Sequence, residues 1–112
     1  MITWNTPVSE LTKTQKRLSR KLAGIAYEHE LSFHLEVLAK KFDAWREKEI
    51  TCWELNELIH QYHDSISREL YNLYNSKMHP IAILERAINR GFLEIKEIPD
   101  QLTSLINLQR FK

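Results

Sequence analysis

Apolar residues recur at helical spacing over the first two thirds of the chain, in two long series. The first series repeats every three or four residues and slips by one residue near Gly24 and Glu28, as a straight helix does against a strict heptad. Its members are Leu18, Leu22, Ile25, Leu31, Leu35, Leu38, Phe42 and Trp45. The pattern predicts one long helix over about residues 10–48. Two helices broken near Gly24 are the weaker alternative, because no proline supports a break.

Short capping motifs indicate where the first helix and a second helix begin. Either Ser9 or the Thr12–Gln15 pair can cap the first helix, the pair by satisfying each other's free backbone donors. Thr51 and Glu54 form a second capping box, which opens a second helix over about residues 52–76. Its apolar series contains Leu55, Ile59, Tyr62, Ile66, Leu70 and Leu73.

The join between these two helices is only two to four residues long, so they are expected to fold back as an antiparallel hairpin. Aromatic residues gather near the turn of this hairpin: Phe42, Trp45, Trp53 and Tyr62. At about 1.5 Å per residue the first helix is about 54 Å long and the second about 38 Å. The first helix therefore outruns its neighbour, and Leu18 and Leu22 need cover from elsewhere.

Two shorter helices are predicted after the hairpin. Pro80 suits the first position of a helix over about residues 80–90, and Gly91 suits the left-handed residue past its end. The apolar face of this helix contains Ile81, Leu84, Ala87 and Ile88, and it is the candidate cover for the first helix. The stretch "FLEIKEIPD" predicts a turn or a short helical piece. Asp100 then caps a last helix over about residues 100–110, with Leu102, Leu105, Ile106 and Leu108 facing inward.

These elements predict an all-α, bundle-like fold in a single helical domain of residues 1–112. Residues 1–8 are expected to form an irregular arm with Trp4 as an apolar anchor. A chain of 112 residues buries only a modest core, and dimerisation is a common remedy. We therefore expect a homodimer in which two hairpins form a four-helix core.

Composition narrows the class of protein further. A hydrophobic content of 43% is typical of globular chains, and the net charge of +1 argues neither for nor against nucleic acid. The single cysteine, Cys52, excludes an internal disulfide and a multi-cysteine zinc site. The chain shows no signal-peptide pattern and no apolar run of membrane-spanning length, which predicts a cytoplasmic protein with no membrane association.

One polar cluster has the residue types of a metal site. Glu57 and His60 have the Glu-x-x-His spacing of di-metal helical bundles, and His63 and Asp64 follow closely. Such bundles need two of these motifs pointing inward, whereas this single motif lies opposite the predicted apolar seam. We therefore interpret the cluster as the solvated side of a helix and predict that no metal binds. A pH-sensitive contact through the histidines is a further alternative.

A second unusual feature is a basic stripe near the start of the first helix. Residues 11–24 carry five positive charges and no negative charge, whereas residues 26–57 carry eight acidic and four basic residues. Helical spacing places the five cations on one side: Lys13, Lys16, Arg17, Arg20 and Lys21. A solvated face is the plainest interpretation. Docking of an acidic protein surface, including another copy, and binding of nucleic acid are the alternatives.

The sequence thus predicts a small helical protein that acts by association, as an interaction or regulatory module, and not as an enzyme. We expect it to associate with a second copy of itself and to bind no cofactor. Association with a different protein is the alternative to self-association. The first alternative function is nucleic-acid or anionic-ligand binding through residues 13–21. The second is metal-dependent catalysis by Glu57, His60, His63 and Asp64.

Overall fold

The computed structural model describes residues 11–108, and all regular structure in that range is helical. The all-α prediction is therefore confirmed. The elements in chain order are α1 (Lys13–Arg46), α2 (Cys52–Gln61), a π-helix (Tyr62–Ser67), α3 (Arg68–Tyr74), α4 (Pro80–Asn89), a 3-10 helix (Ile95–Glu97) and α5 (Asp100–Thr103). None of the helices within residues 11–108 is both long and apolar enough to cross a membrane. The predictions for the arm at residues 1–8, for Trp4 and Ser9, and for residues 109–110 fall outside the described residues.

The start of α1 is determined by its cap. The backbone N–H of Gln15 donates to the Thr12 hydroxyl at 3.0 Å, and the Gln15 side chain accepts from the Thr12 backbone N–H at 2.9 Å. This reciprocal pair places the first helical residue at Lys13, three residues later than the predicted start near residue 10. From there α1 runs for 34 residues without interruption, so the continuous helix through Gly24 is confirmed.

Gly24 offers a simple test of α1. It is exposed in the interior of the helix, and a Cβ built on it meets nothing within 4 Å. Glycine costs about 1 kcal/mol relative to alanine in a helix interior. We expect Gly24→Ala to raise the free energy of unfolding, measured by urea denaturation, by about 1 kcal/mol. The control is Gly91→Ala, which we expect to destabilise because Gly91 has a φ of 83°. Equal effects of the two changes would contradict this account.

Residues Glu28–Asn75 form one compact unit, called the hairpin below. Its turn uses Lys48 in the left-handed region, with a φ of 61°. The predicted capping box then starts α2: the Glu54 N–H donates to the Thr51 hydroxyl at 3.1 Å, and the Thr51 N–H donates to the Glu54 carboxylate at 3.0 Å. The first arm of the hairpin is residues 28–46 and the second is residues 52–74. At the end away from the turn, the Tyr74 hydroxyl donates a hydrogen bond to the Glu30 carboxylate. The two arms are therefore antiparallel.

The second arm of the hairpin contains a π-helix that the sequence analysis did not predict. The residues that lie toward the first arm include Leu58, Tyr62, Ile66 and Leu70, which are spaced by three successive steps of four. A regular α-helix would carry Leu70 about 120° away from Leu58 over these twelve residues. A π-helical turn contains one residue more than an α-helical turn. Because each residue of an α-helix accounts for about 100° of rotation, the extra residue cancels about 100° of the 120°. The π-helix therefore keeps the apolar residues on one side.

The remaining described residues, 11–27 and 76–108, belong to a second compact unit, called the terminal unit. Pro80 is the first residue of α4, and the Ile81 N–H donates to the His79 side chain at 3.1 Å. The helix is buried almost all round, not on one face alone: its buried members are Ile81, Ala82, Ile83, Leu84, Glu85 and Ala87. Gly91 ends it in the predicted left-handed conformation. Helix α4 is thus the centre of this unit's core.

The last predicted helix is much shorter than expected. Helix α5 covers only Asp100–Thr103, not 100–110, and Pro99 occupies the capping position that was assigned to Asp100. After Thr103 the backbone makes tighter turn bonds, such as that from the Ile106 N–H to the Thr103 carbonyl at 3.2 Å. The Asn107 N–H then donates to the buried Glu85 carboxylate. This long-range bond connects the segment after α5 to α4.

Candidate functional site

Apolar residues are distributed very unevenly between the two units. Of the thirteen buried hydrophobic residues within residues 11–108, only Leu55 and Leu70 belong to the hairpin. Of the nine large hydrophobic side chains that are exposed in the same range, seven belong to the hairpin: Phe33, Leu35, Val37, Trp45, Trp53, Ile59 and Tyr71. The hairpin therefore buries few of its apolar side chains fully and exposes several, whereas the terminal unit has most of the fully buried ones.

A shallow apolar groove lies between the two arms of the hairpin. It has a volume of about 110 Å³. The apolar part of its lining comes from Val37, Leu38, Leu58, Tyr62 and Ile66, and polar side chains of His34, Lys41 and Gln61 complete it. For scale, a dry cavity of about 150 Å³ binds a benzene molecule, so the groove has space for about one large side chain.

Phe33 stands beside this groove. It lies one helical turn before Val37 on α1, and 54% of its surface is exposed. Its ring meets the ring of His34 edge to face, with 5.2 Å between centroids and an interplanar angle of 79°. This geometry is a favourable one for aromatic rings. The hairpin thus carries a projecting aromatic ring and an apolar recess on neighbouring positions of the same helix.

Burial corrects the predicted seam at two places. The sequence predicts Ile59 in the seam, but Ile59 is exposed, and the half-buried Leu58 takes that position. Trp45 and Trp53, which the sequence places near the turn of the hairpin, are both exposed, Trp53 by 79%. These residues enlarge the apolar surface that the hairpin presents.

The open end of the hairpin contains a polar contact that sequence reasoning missed. Glu30 is only 3% exposed, and its carboxylate accepts a hydrogen bond of 2.8 Å from the Tyr74 hydroxyl. The two residues are 44 positions apart, so no short motif signals the bond. One signal in the sequence indicates that Glu30 is buried: it directly precedes Leu31, a member of the apolar series of the first helix. The contact holds the end of α3 against α1.

The polar cluster of the second arm is exposed at all four positions: Glu57, His60, His63 and Asp64. Gln61 donates to the Glu57 carboxylate at 3.5 Å, and Arg68 forms an ion pair with Asp64 at 3.7 Å. Between residues 11 and 108, no three His, Cys, Asp or Glu side chains are grouped so that they can hold a metal ion. Two potential ligands thus have partners within their own helical arm. That the protein binds no metal stays a prediction.

The basic stripe occupies the first turns of α1. Four of its members are exposed and Lys16 is half-buried; the full set is Lys13, Lys16, Arg17, Arg20 and Lys21. None of the five forms an ion pair with any residue between 11 and 108. The first turn of α1 contains no acidic residue. Cations near a helix N-terminus are disfavoured by about 0.3–1 kcal/mol each at exposed positions, so an anionic partner would relieve an existing penalty.

Charge divides between the units as sharply as burial does. Across the whole sequence, the terminal unit (1–27 and 76–112) has eleven basic and five acidic residues, a net charge of +6. The hairpin has five basic and ten acidic residues, a net charge of −5. The overall charge of +1 is therefore the sum of two large and opposite charges.

The described residues also include an exposed cysteine and a second apolar cavity. Cys52 is exposed at the first position of α2. A second cavity, of about 180 Å³, lies in the terminal unit between Ile95, Ile98, Thr103, Ile106 and Leu108. Among residues 11–108, no charged side chain lines this cavity.

The surfaces described above are the basis for a functional assignment. Comparisons of the chain with protein-family models, with curated proteins and with solved structures find no match.

Proposed function

We propose that this protein is a small helical association module, in which the hairpin of one copy packs against the hairpin of a second copy. The observation that carries the proposal is the contrast in burial: the hairpin has two of the thirteen buried hydrophobic residues and seven of the nine exposed ones among residues 11–108. Two helices alone leave part of their apolar surface open. Two such hairpins together make the four-helix core that buries it.

The shape of the hairpin favours a second copy as the partner. In a two-fold dimer the same patch of both subunits meets itself, so the patch must be self-complementary. Phe33 projects beside a groove that has space for about one large side chain. In the proposed dimer, Phe33 of each copy enters the groove of the other, between Val37 and Tyr62 of that copy.

Charge opposes this pairing in part. Each hairpin has a net charge of −5, so the apolar contact between two hairpins has to exceed their mutual repulsion. Lys41 and Gln61 lie at the groove beside its apolar residues, which resembles the polar rim around an apolar interface centre.

The proposal predicts the effect of replacing Phe33 and Val37 with serine. Wild-type protein at tens of micromolar is expected to have about twice the mass of the 13.4 kDa chain in light scattering on a sizing column. Because the double variant loses apolar side chains from the interface centre, its dissociation constant should rise at least about tenfold. Sedimentation equilibrium measures that constant.

A matched control separates loss of the interface from loss of the fold. Ile95→Ser changes an exposed aliphatic residue of the terminal unit, and we expect it to leave the dissociation constant unchanged. Far-ultraviolet circular dichroism should show unchanged helix content in both variants, because Phe33, Val37 and Ile95 are all exposed. A wild-type protein that is monomeric at about 100 micromolar would overturn the proposal.

A further inference from the structure

The cavity of the terminal unit is lined almost entirely by aliphatic side chains. Its volume is about 180 Å³, and its lining residues are Ile95, Ile98, Thr103, Ile106 and Leu108. Ile98 is only 6% exposed and belongs to the inner wall, whereas Ile95 is 56% exposed and lies at the opening. Side chains that face an empty space lose packing contacts on that side, so an apolar group that fills the cavity stabilises the unit.

The size and the polarity of the cavity fit an indole ring. A dry cavity of about 150 Å³ holds benzene, so a volume of about 180 Å³ has space for a somewhat larger ring. Thr103 is the one lining residue between 11 and 108 whose side chain has a polar group. Its hydroxyl donates to the Asp100 carbonyl at 2.9 Å, and the oxygen can still accept a hydrogen bond. A buried indole needs such an acceptor for its N–H.

The start of α1 lies close to the segment that forms this cavity. The side-chain amide of Gln15 donates to the Gln101 carbonyl at 3.1 Å, so the first turn of α1 contacts α5. Gln101 precedes the cavity-lining Thr103 by two residues on the same short helix. Leu11 is only 4% exposed, which holds the beginning of the described chain within the terminal unit. The segment that precedes Leu11 therefore starts near the cavity.

This N-terminal segment, residues 1–10, contains one aromatic residue, Trp4. Trp4 precedes Leu11 by seven positions. An extended chain spans about 3.3 Å per residue, so Trp4 has a reach of about 23 Å from Leu11. Because Gln15 already contacts the helix that contains Thr103, the segment is long enough to bring the indole into the cavity.

We propose that Trp4 occupies the cavity of the terminal unit, with its indole N–H donating to the Thr103 hydroxyl. The proposal is independent of self-association, which involves the hairpin alone. It makes the N-terminal segment part of the packing of the terminal unit, and it closes the cavity to small apolar molecules. Phe111 is the competing occupant, because it follows the cavity-lining Leu108 by three positions. Its phenyl ring, however, has no donor for Thr103.

Free indole tests the site directly. Trp4→Gly leaves a space that indole fills, so this variant should bind indole with a dissociation constant of about 1 mM or tighter, and its melting temperature should rise. The wild type should not bind indole, because its own side chain occupies the space. Isothermal titration calorimetry measures both proteins. Equal binding to both, or no binding to Trp4→Gly, would overturn the proposal.

Two further variants locate the bound ring. Phe111→Gly is the matched control, because it removes the other aromatic side chain outside residues 11–108, and it should bind no indole. Binding to Phe111→Gly and not to Trp4→Gly would identify Phe111 as the occupant. Thr103→Val, added to Trp4→Gly, removes the acceptor and should weaken indole binding by about two- to tenfold. An unchanged dissociation constant would contradict the proposed hydrogen bond.

Fluorescence provides a test that creates no cavity. The chain has three tryptophans, and both Trp45 and Trp53 are exposed, so replacing these two with phenylalanine leaves Trp4 as the sole tryptophan. Its emission should lie at a shorter wavelength than that of free tryptophan in water, and acrylamide should quench it less. Unfolding in urea should remove both differences. Emission and quenching equal to those of free tryptophan would overturn the proposal, even if Trp4→Gly did not fold.

Discussion

Replacing Leu84 with alanine should lower the free energy of unfolding by about 2–5 kcal/mol, the usual range for a buried leucine. Leu84 has no exposed surface, and it lies in α4, the helix that is buried almost all round. The change removes apolar contacts and leaves a space that close-packed neighbours fill only in part. Because small domains have a total stability of about 5–15 kcal/mol, this loss is a large fraction of the whole.

Urea denaturation followed by circular dichroism measures the effect of Leu84→Ala. The control is Ile95→Ala, which shortens an exposed aliphatic residue of the same unit, and surface changes of this kind usually alter stability by less than about 0.5 kcal/mol. If Leu84→Ala cost no more than Ile95→Ala, α4 would not be the centre of the terminal unit's core.

The second large effect is expected at the open end of the hairpin. Tyr74→Phe should destabilise the protein by about 1–3 kcal/mol, because the buried Glu30 carboxylate loses a hydrogen-bond donor that water does not replace. The phenylalanine keeps the ring and its packing, so the change isolates the hydroxyl. The bond joins α1 to α3, so hydrogen exchange should quicken first near both of these residues.

Tyr71 provides a matched control for this experiment. It lies on the same helix and is 60% exposed, so Tyr71→Phe should change stability by less than about 0.5 kcal/mol. Equal stabilities of the two variants would show that the bond between Tyr74 and Glu30 contributes nothing measurable.

These two experiments address different sources of stability. The terminal unit has eleven of the thirteen buried hydrophobic residues among residues 11–108, so its stability depends mainly on apolar burial. The hairpin has few such residues, and its stabilising features include the capping box at Thr51 and the bond between Tyr74 and Glu30. In the proposed dimer, burial of the exposed side chains would supply the hairpin with the apolar core it lacks within one copy.

Much of the fold follows from local signals in the sequence. The capping pairs Thr12–Gln15 and Thr51–Glu54, the first-turn Pro80 and the left-handed Gly91 all have their predicted roles. These predictions succeed because each signal acts within about four residues, where backbone geometry brings donor and acceptor together in any tertiary context. The long first helix is similarly local, since nothing along it interrupts the hydrogen-bonding pattern.

Other features depend on residues that are far apart in sequence. The change of phase near Gly24 and Glu28 was visible in the sequence, but only the structure shows that it coincides with the boundary between two units. Leu22 and Ala26 are buried before that boundary, and Leu31 and Leu38 are half-buried after it. The predicted overhang of the first helix is thus accounted for by residues 76–108, which share a unit with residues 11–27.

The candidate site was predictable only in part. The basic stripe and the polar cluster were identified by residue type and spacing, which the sequence by itself determines. The exposure of Trp53 and Ile59, the groove beside Phe33 and the burial of Glu30 were decided by the tertiary structure. The physical reason is that capping and helical phase depend on near neighbours. Burial depends on which distant side chains pack against a residue, and the bond from Asn107 to the buried Glu85 is such a contact between residues 22 positions apart.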